Sequence, residues 1–324
     1  MNGRMKLVRL KPILSLPIDS LAALIGSMIC LSLTPIFIRL SEQEIGPNAT
    51  IFNRFWIAAV AFGLLSALLS VRHRKQDTQS AEQKPHPFSG ARLLIVDGVL
   101  LSMGLIFWAW SLTQTSVANS STIHNLVPIF TILGGWLALG QTFDRRFLLG
   151  MVVAVVGSVL LEADKLLSLR IDQQLLGDFA ALLSAVFFGI HPLIIQQLRT
   201  KLNSISIMTG SSIASALLLL PIAILAEDQL FPSSVTGWFT VIALALFGQI
   251  LGIGLWTYCL KKLSAGFASL LALLIPSLSA IEGWVIFSEN LNFLTMVSII
   301  VILLGMYLAI SSKSTLKTGV ESSN

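Results

Sequence analysis

The stretch IPSLSAIEGWVIFSE, residues 275–289, has a twin in VPIFTILGGWLALGQ, residues 127–141, at an offset of 148. The register runs without gaps from 104–161 to 252–309 and contains twelve identical positions. Leu and Val match easily in apolar sequence. A shared Pro (128 and 276), three shared Gly (104, 135, 157 with 252, 283, 305) and two shared Trp (108, 136 with 256, 284) do not. Two acids separate the twins. Glu289 stands opposite Gln141 at a helix end, whereas Glu282 stands opposite Gly134 inside an apolar run.

Working outward, the runs around these twins are long enough to cross a membrane. Hydrophobic residues make up 55% of the 324 and charged residues 11%. A soluble domain has roughly 45–50% and about 25%. Apolar runs of about 20 residues match a 30 Å hydrocarbon core. Ten are expected: 19–40, 48–71, 92–112, 117–140, 145–162, 175–196, 204–226, 237–260, 264–288 and 291–311. The basic start (Arg4, Lys6, Arg9, Lys11) before the first run resembles a signal peptide, but the run is too long and lacks a cleavage site, so it reads as an uncleaved span. Cys30 and Cys259 lie alone in apolar runs, match no metal or redox spacing, and read as packing residues.

With the N-terminus cytoplasmic, seventeen Lys and Arg fall in inside segments, against Lys165 and Arg170 outside. The net charge of +5 therefore follows a topology rule and does not indicate nucleic acid. Both termini are expected in the cytoplasm, at the cell (inner) membrane. The connection 72–92 and the tail after 311 are polar.

Spans 3–5 thus repeat as spans 8–10, and LTPIFIRL (33–40) loosely matches IHPLIIQQL (190–198). Five helices per half is an odd number, so the second half enters upside down. Inverted repeats enclosing a midplane site are a hallmark of secondary transporters. The expected division is a basic tail (1–18), a first repeat (19–162), a connecting loop (163–174), a second repeat (175–311) and a cytoplasmic tail (312–324).

These residues resemble the EamA domains of the drug/metabolite transporter superfamily. The resemblance rests on NRFWIAA at 53–59, FWAWSL at 107–112, and the mid-helix prolines Pro128 and Pro276 followed by LGQ (139–141) and FSE (287–289). Gln141 departs from the usual Glu. The resemblance implies an all-α integral membrane carrier of two inverted five-helix EamA-like repeats, with helices 1–4 and 6–9 around a cavity and 5 and 10 at the periphery. Substrates across the superfamily are diverse, so it fixes architecture more than cargo.

Polar residues inside the spans are the site candidates, because an ionisable group there faces a cavity or a partner. Glu282 is a candidate for proton coupling or for binding a substrate amine; pairing with a polar group of another helix, or reaching the outer interface, is the alternative. Ser121, His124 and Asn125 make one polar helix face before Pro128. Thr34 and His191 precede Pro35 and Pro192, where a helix break frees carbonyls. Gln249, Trp108 and Trp256 offer hydrogen bonds and stacking, with packing as the alternative. Arg54 is read as snorkelling to the interface, with an anionic substrate as its alternative, and Asp97 as a partly hydrated group near the cytoplasm. Gly150, Ala154 and Ser158 have the spacing of close helix contact.

No phosphate loop, HExxH or triad is present, so enzyme chemistry and ATP-driven pumping within this chain are not expected. No cofactor or metal is implied. The expected partners are the bilayer, a small metabolite, and a proton or ion gradient. The expected function is export of amino acids or related compounds by alternating access. A transport-inactive scaffold or sensor and a lipid-headgroup translocator are the alternatives; the latter requires more basic residues in the cavity.

Overall fold

The computed structural model describes residues 17–76, 90–161, 175–287 and 292–315. Glu289, most of the 72–92 connection, the 163–174 loop and the basic N-terminus lie outside these residues. Every regular element among the described residues is helical, as lipid requires of a chain that must satisfy its own backbone. Nine helices there are long and apolar enough to cross a membrane. The fifth expected span forms a shorter helix of 17 residues, Arg145–Leu161.

Four expected spans are interrupted. The first divides into α1 (Ile18–Ser32) and α2 (Thr34–Ser41). After α3 (Pro47–Gln76) and α4 (Ala91–Gln114), the fourth divides into α5 (Val117–His124) and α6 (Val127–Leu139). Then follow α7 (Arg145–Leu161), α8 (Leu175–Leu198) and α9 (Ser204–Ala226). The eighth span comprises α10 (Val235–Ala243), a π-helix over Leu244–Ile253, and α11 (Gly254–Cys259). The ninth divides into α12 (Ala265–Leu271) and α13 (Leu274–Phe287), and α14 (Phe293–Ile310) completes the set.

Three of the four breaks follow prolines. Pro35, Pro128 and Pro276 each fall within the first turns of a second half-helix. There a missing N–H costs nothing, because the donors of a helix's first turn have no acceptor within the helix. Pro192 and Pro221, in contrast, lie inside unbroken α8 and α9. The repeat-matched Pro128 and Pro276 therefore behave alike, and the loosely matched Pro35 and Pro192 do not.

Packing is closest between α7 and α14. A Cβ on Gly150 would lie 2.5 Å from Gly305 O, and one on Gly305 2.5 Å from Ala154 N. The backbones touch because these positions carry no side chain, as the small-residue spacing predicts. The main hydrophobic core lies around Phe147, Phe267, Trp256 and Leu271.

The connections gather at two ends of the bundle. At one end Glu44, before α3, accepts from Ser233 N and Oγ and Ser234 N and Oγ, at the start of α10. At the same end Glu227, after α9, accepts from Asn48 N and Nδ2 at 2.9 and 2.8 Å. Each carboxylate thus meets the N-terminus of a helix in the other half, where the dipole favours it. Gly237 and Gly46 leave the space for them, since a Cβ at either would run into the carboxylate. The four Ser donors hold the Glu44 carboxyl down to about 2. At the other end Lys262 pairs with Asp19, and Asp144 accepts from Ser312 Oγ.

Candidate functional site

A cavity of about 50 Å³ lies between α2, the start of α3, the far half of α4 and Leu244. It has room for a few waters. Its wall includes Arg54 and Glu42, with Trp108, Ala109 and Leu112 from α4.

Arg54 is 6% exposed, two turns into α3. It does not snorkel. Its Nε donates to Gln249 Oε1 at 3.2 Å and its Nη2 to Gly248 O at 3.1 Å. Both acceptors belong to the π-helix, a form often found at functional sites. Gly248 makes the approach possible: a Cβ there would stand 3.1 Å from Arg54 Cζ. Among the described residues no carboxylate pairs with Arg54. A buried cation held only by neutral acceptors is incompletely compensated. Glu42 lies at the exposed edge of the same cavity, and burial, then the charge of Glu227, pushes its carboxyl above the ordinary range. The cavity therefore offers a cation in its wall and an anion at its edge.

The candidates from the sequence separate into distinct places. Trp108 lines the cavity and its Nε1 has no acceptor among the described residues. His124 sits against Trp108, with rings 5.5 Å apart, and against Phe188 at 5.1 Å. Its Nδ1 meets Ser184 Oγ at 3.1 Å. Gln249 orients Arg54. Thr34 and Asn125 are buried beside the α1–α2 and α5–α6 breaks, with Thr34 Oγ1 and Asn125 Nδ2 unpartnered among the described residues. Ser121 is half-buried on α5, and its carbonyl accepts from Asn125 N. Trp256 packs in the main core.

Glu282 lies elsewhere. Its Oε1 accepts from Ser32 Oγ at 2.6 Å, and its neighbour Ser279 donates to Ser32 O at 2.7 Å. One face of α13 thus satisfies the last turn of α1, where the break leaves groups without helical partners. At Gly134, its repeat mate, Leu193 Cδ1 would stand 2.7 Å from a Cβ, so the first half has no room for such a side chain.

His191 pairs with Asp97 on α4, Nδ1 to Oδ1, at 2.8 Å. Asp97 is 1% exposed, so the expected hydration is absent: α8 and α9 cover it. The residues underrated in the sequence are thus Arg54 and Asp97. The signal for Arg54 was its place in NRFWIAA, well inside an apolar run; its Gln249 partner is 195 residues away.

These features define an all-helical, multi-pass membrane protein with a charged cavity among its helices. The chain belongs to the EamA-like transporter family, which matches residues 20–162 and 175–311. It is similar to an uncharacterized transporter of Archaeoglobus fulgidus, with 23% identity over 282 residues, covering 85% of this chain and 93% of that protein. It is also similar to the pseudopaline exporter CntI of Pseudomonas aeruginosa, at 24% identity over 206 residues, covering 64% and 70% of the two chains. A solved crystal structure matches with a TM-score of 0.73 at 17% identity, over 90% of this chain and 96% of that one, and so shares the fold.

Proposed function

We propose that this transporter exports amino acids or related carboxylate-bearing metabolites, as a secondary carrier working by alternating access. Arg54 carries the reading: a buried cation in a cavity wall without a carboxylate partner among the described residues. A substrate carboxylate would complete it through a charge-assisted bond. Glu42, at the edge, would face a substrate ammonium. Arg54 is the sole basic residue lining the cavity among the described residues, which favours a small solute over a lipid headgroup. The cavity is too small for a metabolite in this state, so its walls must part to admit one.

The scaffold is read as ten crossings in two inverted halves with both termini cytoplasmic. Two observations support this arrangement. Connections assigned to the outer side, 41–47 and 227–234, bond to each other. Segments assigned to the inner side, at Asp19 and Lys262 and at Asp144 and Ser312, do likewise. The Glu44 and Glu227 contacts would then close the outer face. Export as the direction is supported by the exporter among the relatives.

Proteoliposomes given a panel of amino acids, their amides and unrelated metabolites test the proposal. We expect flux of carboxylate-bearing solutes that is lost in Arg54→Gln. No flux of any solute above empty vesicles would reject it.

A further inference from the structure

A second polar centre stands apart from the Arg54 cavity. Asp97 and His191 are 1% and 3% exposed, and Ser211 on α9 donates to Asp97 Oδ2 at 2.6 Å. The three come from different helices yet share one depth. Asp97 lies six residues from Ala91, and Ser211 and His191 seven from Ser204 and Leu198. At 1.5 Å per residue that is about 10 Å of helix in each case. The centre therefore lies inside the apolar spans, toward the end of the bundle read as cytoplasmic.

The tautomer follows from the charge on Asp97. With Asp97 ionised, its carboxylate only accepts, and Nδ1 then carries the hydrogen toward it. In the neutral ring Nε2 is then the basic nitrogen, and Nε2 is buried without a partner among the described residues. With His191 neutral, the centre holds a lone negative charge. With Nε2 protonated it is a neutral pair. The other titratable groups on the packed elements are these. On α4 the neighbour is Arg92, toward the helix start; on α8 they are Asp178 at the far end and Arg199 just beyond the near one. The segments Ser204–Ala226, Val127–Leu139 and Ala265–Leu271 contain none. On α3, which packs on α4 and α9, Arg54 belongs to the cavity and Arg72, His73, Arg74 and Lys75 come in the last turns. Of the remaining neighbours, His124 is bonded to Ser184, and Tyr258 and Cys259 lie on α11.

We infer that Asp97 and His191 form the proton-coupling site of this transporter, a role that rests on the transport reading above. In the step, hydronium gives its proton to His191 Nε2, an N–H bond forms, water departs, and no electrons change hands. Release reverses it. Coupling to substrate runs through α4. The same helix that places Asp97 supplies Leu105, Trp108, Ala109 and Leu112 to the cavity wall, about 16 Å from Asp97 to Trp108 at 1.5 Å per residue. A substrate that parts α4 from α3 moves a helix whose other half borders the pair. Both sites thus bias one element, which is the physical requirement for coupling.

The test uses the full-length protein in proteoliposomes with a substrate from the metabolite panel. An imposed pH gradient is expected to drive wild-type accumulation. His191→Gln can still donate to Asp97 but cannot take the proton; it should retain substrate counterflow and lose gradient-driven accumulation. Independently of any variant, adding substrate to the detergent-solubilised wild type in weak buffer should change a pH dye's signal. Accumulation by His191→Gln equal to wild type would overturn the inference. So would wild-type flux indifferent to the gradient with a silent dye, though that result would leave the transport reading standing. Absence of all wild-type flux would overturn both.

Discussion

Gly248→Ala is one methyl group placed against the guanidinium that the proposed substrate needs. The new Cβ would stand 3.1 Å from Arg54 Cζ, 3.2 Å from Nε and 3.4 Å from Nη2. Carbon contacts settle at roughly 3.5–4.0 Å, so the group must retreat by about half an ångström. Its bonds to Gln249 and to Gly248 O, at 3.2 and 3.1 Å, are already at the long end of the range. The retreat breaks at least one of them. A hydrogen bond to a charged group is worth about 1.5–3 kcal/mol, or roughly 10- to 150-fold in an equilibrium constant. The expected outcome is a KM for carboxylate substrates raised by about that factor in counterflow assays. The maximal rate should change less, and a melting curve in detergent should show the fold intact. An unchanged KM would refute the reasoning. So would an equal loss for an amino acid and its amide, because the methyl would then act by shape and not through the cation.

The remaining predictions probe packing, the end contacts and Glu282. Gly305→Ala places its Cβ 2.5 Å from Ala154 N and 2.6 Å from Gly150 O. Overpacking of this kind costs about 1–3 kcal/mol, so a thermal melt should fall by several degrees, while Gly63→Ala, with nothing nearby, should melt like wild type. Gly237→Ala or Glu44→Gln should release the α10 end and raise labelling of an engineered cysteine at Ala109 by a membrane-impermeant reagent added outside; unchanged labelling would argue that these contacts close nothing. Glu44 is held at about 2, below its ordinary 4.5, so the stability it adds is present above about 4.5 and lost as pH falls through about 2. Labelling should accordingly stay flat between pH 7 and pH 5. Glu282→Gln keeps an acceptor for Ser32 Oγ, so rate and pH dependence should match wild type, whereas Glu282→Leu should lower the melting temperature; a changed pH profile in the Gln variant would restore Glu282 as the coupling group.

Helix positions were legible because a membrane makes each span answer locally: backbone groups must bond within the segment, and about 20 apolar residues reach across. The small-residue spacing at Gly150 likewise identified a contact helix, since absence of side chains is written in one dimension. The breaks were half legible. All five mid-span prolines were visible, but three interrupt their helices and two do not. The eighth span's π-helix left no proline signal at all.

The sequence by itself determined the class: a duplicated, helical, multi-pass membrane protein with the family's motifs. Only the tertiary structure decided which polar residues meet. Glu282 drew attention as a lone acid in an apolar run, yet it satisfies Ser32, 250 residues away. Asp97 looked hydrated by its closeness to a helix end, yet α8 and α9 bury it against His191, 94 residues on. Arg54 looked able to reach the interface, yet the π-helix holds it inward. The reason is common to all three. Burial of an apolar run is set by its own composition and the lipid, whereas the fate of a charge depends on which partner the packing of other helices brings within hydrogen-bond reach.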